Sequence, residues 1–518
     1  MPKIVIDGKT VEAQDGLTVL KAAAAAGVDI PHFCYHPAFV PEGSCRLCLV
    51  EITGSAKLEL SCSTVVREGM IVSTQSPGVQ EARKSVLEFL LAEHPLDCPI
   101  CDKAGECKLQ DYYRDYGLTE SAFSEFKEKR EKKVRIGEKL LLDRERCILC
   151  TRCVRFLGDI ARTEELGVFE RGIHTEISTY EGEPVASAYS GNLVDLCPVG
   201  AITDLEFRFK TRPWFLTRGE SICPLCSRGC NIFVDYQRGM ARVPKSAKVL
   251  RIRPRVNPDV NGHWICDYGR YGYMIMQRDN RSENVTRKSG LGLRPEWDDV
   301  DVFLAGELRR LKTKAGSKSL AVILTPWLTN EELFLVKKIF IEDLGASRIY
   351  FAGSPAAQGD GILLTSERAP NNRGALEMGL AARPFALEAL AEEPGMLWIF
   401  GPDVGESFST EAFRPAAAAF LLKIVVSSRL GALTELADIV LPSATAAEKS
   451  GSFTNTNGRI QKFAAVGRSC GAARPASDIL LGIARALHLN DPYYDRLTDV
   501  ESIFEAMAGS IPFFGKRS

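Results

Sequence analysis

The chain is predicted to be multidomain, α+β through its first half and layered α/β through its second. Three observations carry that reading. Fifteen of the sixteen cysteines lie between Cys34 and Cys266, and only Cys470 lies beyond them. Hairpin and helix signals open the chain. Short apolar runs alternating with helical patterns fill the cysteine-poor remainder. The length, 518 residues, is ample for several domains.

Lys3–Ile6 and Thr10–Ala13 alternate around Asp7-Gly8, a two-residue hairpin turn. Thr18 then caps an alanine-rich helix to Ala26, and Gly27 stands where a helix commonly stops. A second helix is expected at Val79–Glu93, with Ala82, Val86, Leu87, Leu90 and Leu91 on one face. It delivers His94-Pro95 into a cysteine-bearing loop. From Arg114 to Arg146 the chain is densely charged, the pattern of a solvated connection or partner-facing surface. Past residue 272, Leu320–Leu324, Ile349–Ala352, Met396–Phe400 and Phe420–Val426 read as buried parallel strands, with a helix at Asn330–Glu342 among them.

Basic and acidic residues nearly cancel, 65 against 66, which is no footprint for nucleic acid or for a polybasic membrane anchor. No apolar run approaches the roughly 20 residues that span a bilayer. The opening MPKIVIDGKTVEAQDG shows no export signal, so the expected place is the cytoplasm. No GxGxxG opens a helix after a strand, and there is no P-loop and no nucleophile with its base. The chain is neither short nor exported, so its cysteines are better explained by thiolate–metal ligation than by disulfides.

Four ligand sets account for them. Cys34, Cys45, Cys48 and Cys62 are spaced C-x10-C-x2-C-x13-C. They share the central C-x2-C of plant-type [2Fe–2S] proteins, and Gly43 would let the loop backbone approach the cluster sulfurs. His32 and His36 flank this set as packing or hydrogen-bonding residues. His94, Cys98, Cys101 and Cys107 form H-x3-C-x2-C-x5-C, in which the imidazole completes a [4Fe–4S] site and favours its reduced form by removing a negative charge. Cys147, Cys150 and Cys153 form C-x2-C-x2-C, joined by a remote Cys197-Pro198, the bacterial ferredoxin pattern for a [4Fe–4S] cluster. Cys223, Cys226, Cys230 and Cys266 form a fourth set that also suits [4Fe–4S]. Structural zinc is the competing reading at each, least so at the third, because zinc sites usually pair cysteines two and two. Fifteen cysteines and His94 supply sixteen ligands, with Cys470 left over as a buried apolar residue.

The motifs HPLDCPICDKAGECKLQDYY, RCILCTRCVRF and GNLVDLCPVGAIT resemble those of the large iron–sulfur subunit of respiratory complex I, the NADH–quinone oxidoreductase. CPLCSRGCNIFVD, NGHWICDYGRYGY and ADIVLPSATAAEKSGSFTNTNGRIQ are similar to molybdopterin oxidoreductases. The resemblance implies five domains. These are a β-grasp [2Fe–2S] ferredoxin-like domain over 1–77, a histidine-ligated [4Fe–4S] domain over 78–117 and a ferredoxin-like [4Fe–4S] domain over 138–214. A molybdopterin-oxidoreductase-type [4Fe–4S] domain follows over 215–271, then a truncated molybdopterin-oxidoreductase-like α/β domain over 272–518. The last is expected to hold no molybdenum, since it offers no ligating cysteine and Tyr268 stands where those enzymes often carry a lysine.

The resemblance further implies a relay. An FMN flavoprotein that oxidises NADH, with a small [2Fe–2S] subunit beside it, would feed the Cys34 set. Electrons would continue through the Cys147 set to the His94 set, then to a ferredoxin-like subunit with two [4Fe–4S] clusters and on toward quinone. The Cys223 set would lie off that route. FMN, NAD and molybdopterin would belong to other chains, and attachment to the cytoplasmic face of the membrane would come through membrane-arm partners. A molybdenum or tungsten formate dehydrogenase catalytic subunit and the relay subunit of an NAD-linked hydrogenase share parts of this front end and are the alternatives.

Overall fold

The computed structural model describes residues 1–116, 123–237, 248–276, 280–288, 295–314, 319–354, 357–381, 385–386, 390, 395–401, 410–488 and 491–516. They form two compact units, Met1–Phe215 and Leu216–Ser518.

The first unit opens with the expected hairpin. Strands Lys3–Ile6 and Lys9–Glu12 pair antiparallel with Ile6 opposite Lys9. Asp7 and Gly8 between them both take positive φ, 47° and 80°, the geometry that matches strand twist in a two-residue loop. Ile71–Ser73 adds parallel to the first strand, and Leu49–Ile52 and Glu59–Leu60 complete a five-stranded mixed sheet. Helix Val19–Ala25 starts where Thr18 accepts from the Lys21 amide at 3.4 Å. It buries Val19, Leu20, Ala22 and Ala23 against Ile4, Ile6, Val50 and Val72. Full burial of each large aliphatic contributes about 1.5–3 kcal/mol. The sheet wrapped on its helix is the β-grasp arrangement, and it holds the loop that carries the first cysteine set.

Helix Pro77–Glu93 forms as expected, but its innermost positions are Val79, Arg83 and Leu87. Ala82, Val86, Leu90 and Leu91 are only half-buried. The apolar pattern misplaced the face because an arginine occupies its centre. Arg83 is buried along its stem and donates to the Leu49 carbonyl at 3.2 Å and to the Tyr116 hydroxyl at 3.1 Å.

In the charged stretch from Arg114 to Arg146, positions 117–122 lie outside the described residues, and 123–135 are mostly exposed, as a solvated connection would be. Its later part folds: Val134–Arg135 pairs with Leu140–Leu142, which pairs with Ile202–Asp204. Charges there are neutralised in place, Arg144 by Glu131 at 3.1 Å and Arg146 by Asp143, the last two buried.

In the second unit, Thr217–Ile222, Asn231–Gln237 and Lys248–Pro254 form an antiparallel sheet. Beyond it lies a six-stranded sheet in the order Thr286–Arg287, Ile439–Pro442, Leu422–Ser427, Met396–Phe400, Leu320–Leu324, Arg348–Phe351. All but the first edge strand run parallel, and four match the apolar runs within two residues. Helix Asn330–Val336 begins in a capping box of Thr329 and Glu332, and Glu332 also holds the buried Lys449 ammonium at 2.8 Å. Cys470 is not the buried apolar residue expected. It is half-buried, and its thiol donates to Glu283 Oε1 at 3.0 Å.

Asp301, in helix Trp297–Lys314, sits where Gly482 brings a second helix against it. Its Oδ1 is buried without a partner, and burial pushes the carboxyl up to about 7. A carboxyl raised above its unfolded value stabilises the fold below about pH 4, and that contribution is lost as pH rises through 7. We expect the urea midpoint of the full chain to fall between pH 5 and pH 8. Asp301→Asn should flatten that fall, with a gain of about 2 kcal/mol at pH 8 after discounting for partial exposure. An unchanged pH slope in the variant would show that Asp301 titrates normally.

Among the described residues, no helix is long and apolar enough to cross a membrane.

Candidate metal centres

All sixteen residues of the four sets lie within the described structure, and no cysteine is in a disulfide. Three sets fall in the first unit and the fourth in the second.

The first set lies on the loops either side of strand Leu49–Ile52. Gly43 and Arg46 both adopt positive φ, 73° and 55°, which folds the loop back on itself. Cys34, Cys48 and Cys62 are buried, and Cys45 is half-buried. The thiols meet as two pairs, Cys34 with Cys45 and Cys48 with Cys62, each joined by a sulfur hydrogen bond. The Cys45 thiol, with lesser help from Ser44 and the Gly43 backbone, holds Cys34 down to about 5, and the Cys62 thiol holds Cys48 down to about 7. Two pairs suit a core of two irons, each taking two thiolates. Gly43 thus serves the site through its backbone, as expected. A side chain there would also strike Leu60 at 2.9 Å. His32 Nδ1 donates to the Ile30 carbonyl at 2.7 Å, and His36 Nδ1 accepts from the Ala38 amide at 3.3 Å. Both are the hydrogen-bonding residues that the sequence suggested.

The second set forms where helix Pro77–Glu93 ends at His94 and helix Lys108–Asp115 begins at Cys107. His94, Cys98, Cys101 and Cys107 line one small cavity. Burial, reinforced by the nearby Arg146 charge, lowers the imidazole to about 4 and keeps it neutral, the form that ligates metal. Its Nδ1 is buried with no hydrogen-bond partner. Cys107 is raised by burial to about 11, while the Leu109 and Gln110 amides of its helix point at the sulfur. A histidine nitrogen left orphaned in a cavity with three thiols is a donor set that fits one [4Fe–4S] cluster.

The third set wraps a second apolar cavity lined by Cys147, Cys150, Cys153 and Cys197 together with Leu142 and Ile202. Leu149 and Thr151 take positive φ, 50° and 56°, so the three closely spaced cysteines all face inward. Burial raises Cys147 to about 12 and Cys150 to about 11, and Cys153 goes well above its ordinary value. Cys197 ends the short helix Asn192–Leu196 and closes the cavity from the opposite side.

In the second unit, Cys223, Cys226 and Cys230 occupy the turn between strands Thr217–Ile222 and Asn231–Gln237, closed by the Cys223 amide on the Cys230 carbonyl at 2.8 Å. Cys266 caps helix Asp267–Tyr271, and its sulfur accepts from the Gly269 amide at 3.4 Å. All four are buried. A Cβ on Gly269 would stand 3.2 Å from Cys223 Sγ, so only glycine gives that sulfur ordinary room. Tyr268, two places on, lies under the Arg368 guanidinium.

Among the described residues, no three His, Cys, Asp or Glu side chains gather as tightly as ligands of a single ion. Ligands of a cluster each hold a different iron or share one in pairs, and so stand wider apart around the core.

Residues beyond the ligand count join the first three sets, and the sequence reading did not single them out. Arg155 donates to the Cys34 carbonyl at 2.5 Å and to Cys150 at 3.4 Å, tying the first set to the third. Arg152 donates to the carbonyls of Tyr35 and Leu196. Gly200 links the third set to the second, because a Cβ there would run into Cys101 Sγ. Arginines inside a cysteine motif, as in TRCVRF, were the available signal.

Comparison with known proteins matches five segments of the chain to iron–sulfur or related domains. The models matched are a 2Fe-2S iron-sulfur cluster binding domain over residues 3–77 and an NADH-ubiquinone oxidoreductase-G iron-sulfur binding region over 83–122. The NADH-quinone oxidoreductase subunit 3 ferredoxin-like domain covers 137–203, the NDSU1/NuoG-like 4Fe-4S domain of NADH-ubiquinone oxidoreductase 216–274, and molybdopterin oxidoreductase 362–486. The fold and sites therefore define an iron–sulfur protein built from 2Fe-2S and 4Fe-4S binding domains and a molybdopterin-oxidoreductase domain. Within that class, the chain is a relative of the large iron–sulfur subunit of NADH–quinone oxidoreductase. It is 42% identical over 317 residues to an NADH-quinone oxidoreductase chain of Streptomyces coelicolor, covering 60% of this chain and 37% of that one. It is 39% identical over 354 residues to the NADH-ubiquinone oxidoreductase 75 kDa subunit of Reclinomonas americana, covering 68% of this chain and 49% of that one. The matched region thus spans less than half the length of either relative. A solved NAD+-reducing [NiFe]-hydrogenase in the H2-reduced state matches at 35% identity with a TM-score of 0.37, over 40% of this chain and 90% of that one.

Proposed function

We propose that this chain is the electron-relay subunit of an NADH–quinone oxidoreductase. Its four sets would hold one [2Fe–2S] cluster, at Cys34, Cys45, Cys48 and Cys62, and three [4Fe–4S] clusters at the other sets. Iron–sulfur clusters supply one-electron carriers that an otherwise insulating protein lacks. The observation that carries the reading is the joining of three ligand sets in one unit, first to third through Arg155 and third to second through Gly200. That succession supports a route from the Cys34 set through the Cys147 set to the His94 set. The chain's own work is to bury the thiolates, aim backbone amides at them and hold the sets at fixed separations.

On this reading an FMN-bearing NADH-oxidising flavoprotein and a small [2Fe–2S] subunit lie upstream. A subunit with two [4Fe–4S] clusters and the membrane-arm subunits lie downstream, and the chain attaches to the cytoplasmic membrane face through them. The domain limits are those of the five segments given above, and the last segment serves as scaffold. Anaerobic purification should give iron near the roughly fourteen atoms that one [2Fe–2S] and three [4Fe–4S] clusters require. Molybdenum, tungsten and zinc should stay well below one atom per chain. A colourless, zinc-filled protein silent in low-temperature EPR after dithionite would overturn the proposal.

His94→Cys should keep a cluster in the second set but lower its midpoint potential, because a thiolate adds a negative charge beside the electron to be accepted. Redox titration followed by EPR checks this. An unchanged or raised midpoint would remove His94 from the ligands.

A further inference from the structure

Arg146 immediately precedes the first ligand of the third set, yet its side chain turns into the second. It lines the cavity shared by His94, Cys98, Cys101 and Cys107. The side chain is only 6% exposed, and its guanidinium is held from two sides. Nη2 donates to Asp97 Oδ2 at 2.7 Å, and Nη1 donates to Asp143. Asp97 lies in the ligand loop itself, between His94 and Cys98, and has a second cation in Lys132 at 3.6 Å. The Arg146 backbone is hydrogen-bonded to the His94 ring, whose Nδ1 is left without a partner. Gly200 packs against the same arginine, its Cβ direction 3.5 Å from Arg146 Cδ.

We infer that Arg146 and Asp97 are positioning residues that set the reduction potential of the His94-ligated centre, the arginine raising it and the aspartate lowering it. The inference rests on the proposed function, since it needs a cluster at that set. The physical ground is simple. An added electron makes the centre more negative, and a fixed buried cation stabilises that state whereas a fixed carboxylate opposes it. Two groups held by their own hydrogen bonds need no rearrangement when the electron arrives. The contact from the Arg146 backbone to the imidazole fixes the ring as partners of metal-bound histidines do.

A merely structural clamp and a charge-setting pair predict different signs. Redox titration of the purified complex, followed by EPR of the nitrogen-coupled centre, should compare the unsubstituted chain with Arg146→Gln, Arg146→Lys and Asp97→Asn. Arg146→Gln should make reduction about tenfold harder, a fall of about 59 mV for a one-electron centre. Asp97→Asn should shift the midpoint up by a comparable factor, and Arg146→Lys should stay close to the starting value. Shifts of the same sign in Arg146→Gln and Asp97→Asn, or unmoved midpoints with the signal intact, would overturn the inference. Where Arg146→Gln loses the centre, the sign in Asp97→Asn decides, and anything but a rise overturns it. A complete lack of a nitrogen-coupled signal in the unsubstituted complex would instead bring down the ligand assignment on which the inference stands.

Discussion

On the proposed relay, Cys153→Ala should abolish the third cluster and reduce NADH-to-quinone electron flow in the assembled enzyme to background. Cys153 is buried in the short helix Arg152–Arg155, which follows the left-handed residues Leu149 and Thr151. The ligand count offers no spare, because among the cysteines only Cys470 lies outside the sets, and it belongs to the second unit. The third set is also joined to each of the other two of its unit, through Arg155 and Gly200. Losing the middle station should therefore break the route while leaving the first set's EPR signal in place. The measurement is quinone reduction by NADH in parallel with reduction of a soluble acceptor at the flavin, which should survive. Normal quinone reduction by this mutant would show that electrons take another path.

Gly200→Ala should be nearly as severe, although it removes no ligand. The added methyl carbon would overlap Cys101 Sγ, closer than real contacts allow, and stand a tight 3.2 Å from Lys103 Cβ. Overpacking at such a point ordinarily costs about 1–3 kcal/mol. Here the atom that must move is itself a candidate iron ligand. The loop also has little slack, since the Lys108 amide is hydrogen-bonded to the Pro198 carbonyl at 3.2 Å and Arg212 grips Cys101 and Pro99 by their carbonyls at 2.6 Å each. We expect loss of iron equivalent to the second set, read by analysis and EPR, with the [2Fe–2S] signal retained. Full iron content in the variant would mean that Cys101 lies elsewhere than the cavity requires.

These two substitutions mark how far the sequence could be read. Cys153 could be picked out because ligand chemistry leaves a spacing pattern, and the structure brings Cys147, Cys150, Cys153 and Cys197 around one cavity. The β-grasp hairpin and the parallel strands were legible too, since Asp-Gly turns and buried apolar runs are local signals. Gly200 was not. Its importance comes from contact with Cys101, a hundred positions away, and nothing in the run CPVGAIT distinguishes a packing glycine from a flexible one. Arg83, Arg146, Arg152 and Arg155 were missed for a related reason. Hydrophobic periodicity treats arginine as surface, whereas here backbone carbonyls and carboxylates of distant segments make burial affordable. Cys470 was misjudged because no local pattern announces that Glu283 will meet its thiol.

Arg152 and Arg155, beside the third set, reach main-chain oxygens of the first at Cys34, Tyr35 and Val40, and Arg155 and Thr151 also meet the Glu42 carboxylate. Every amino acid presents a main-chain oxygen. Substitution at Val40 therefore leaves in place the oxygen that Arg155 grips, whereas Glu42 and Phe39 hold the third set's segment through their own side chains. The spacing of the two stations is thus pinned twice, by oxygens that any residue would present and by one carboxylate and one ring that only Glu42 and Phe39 supply.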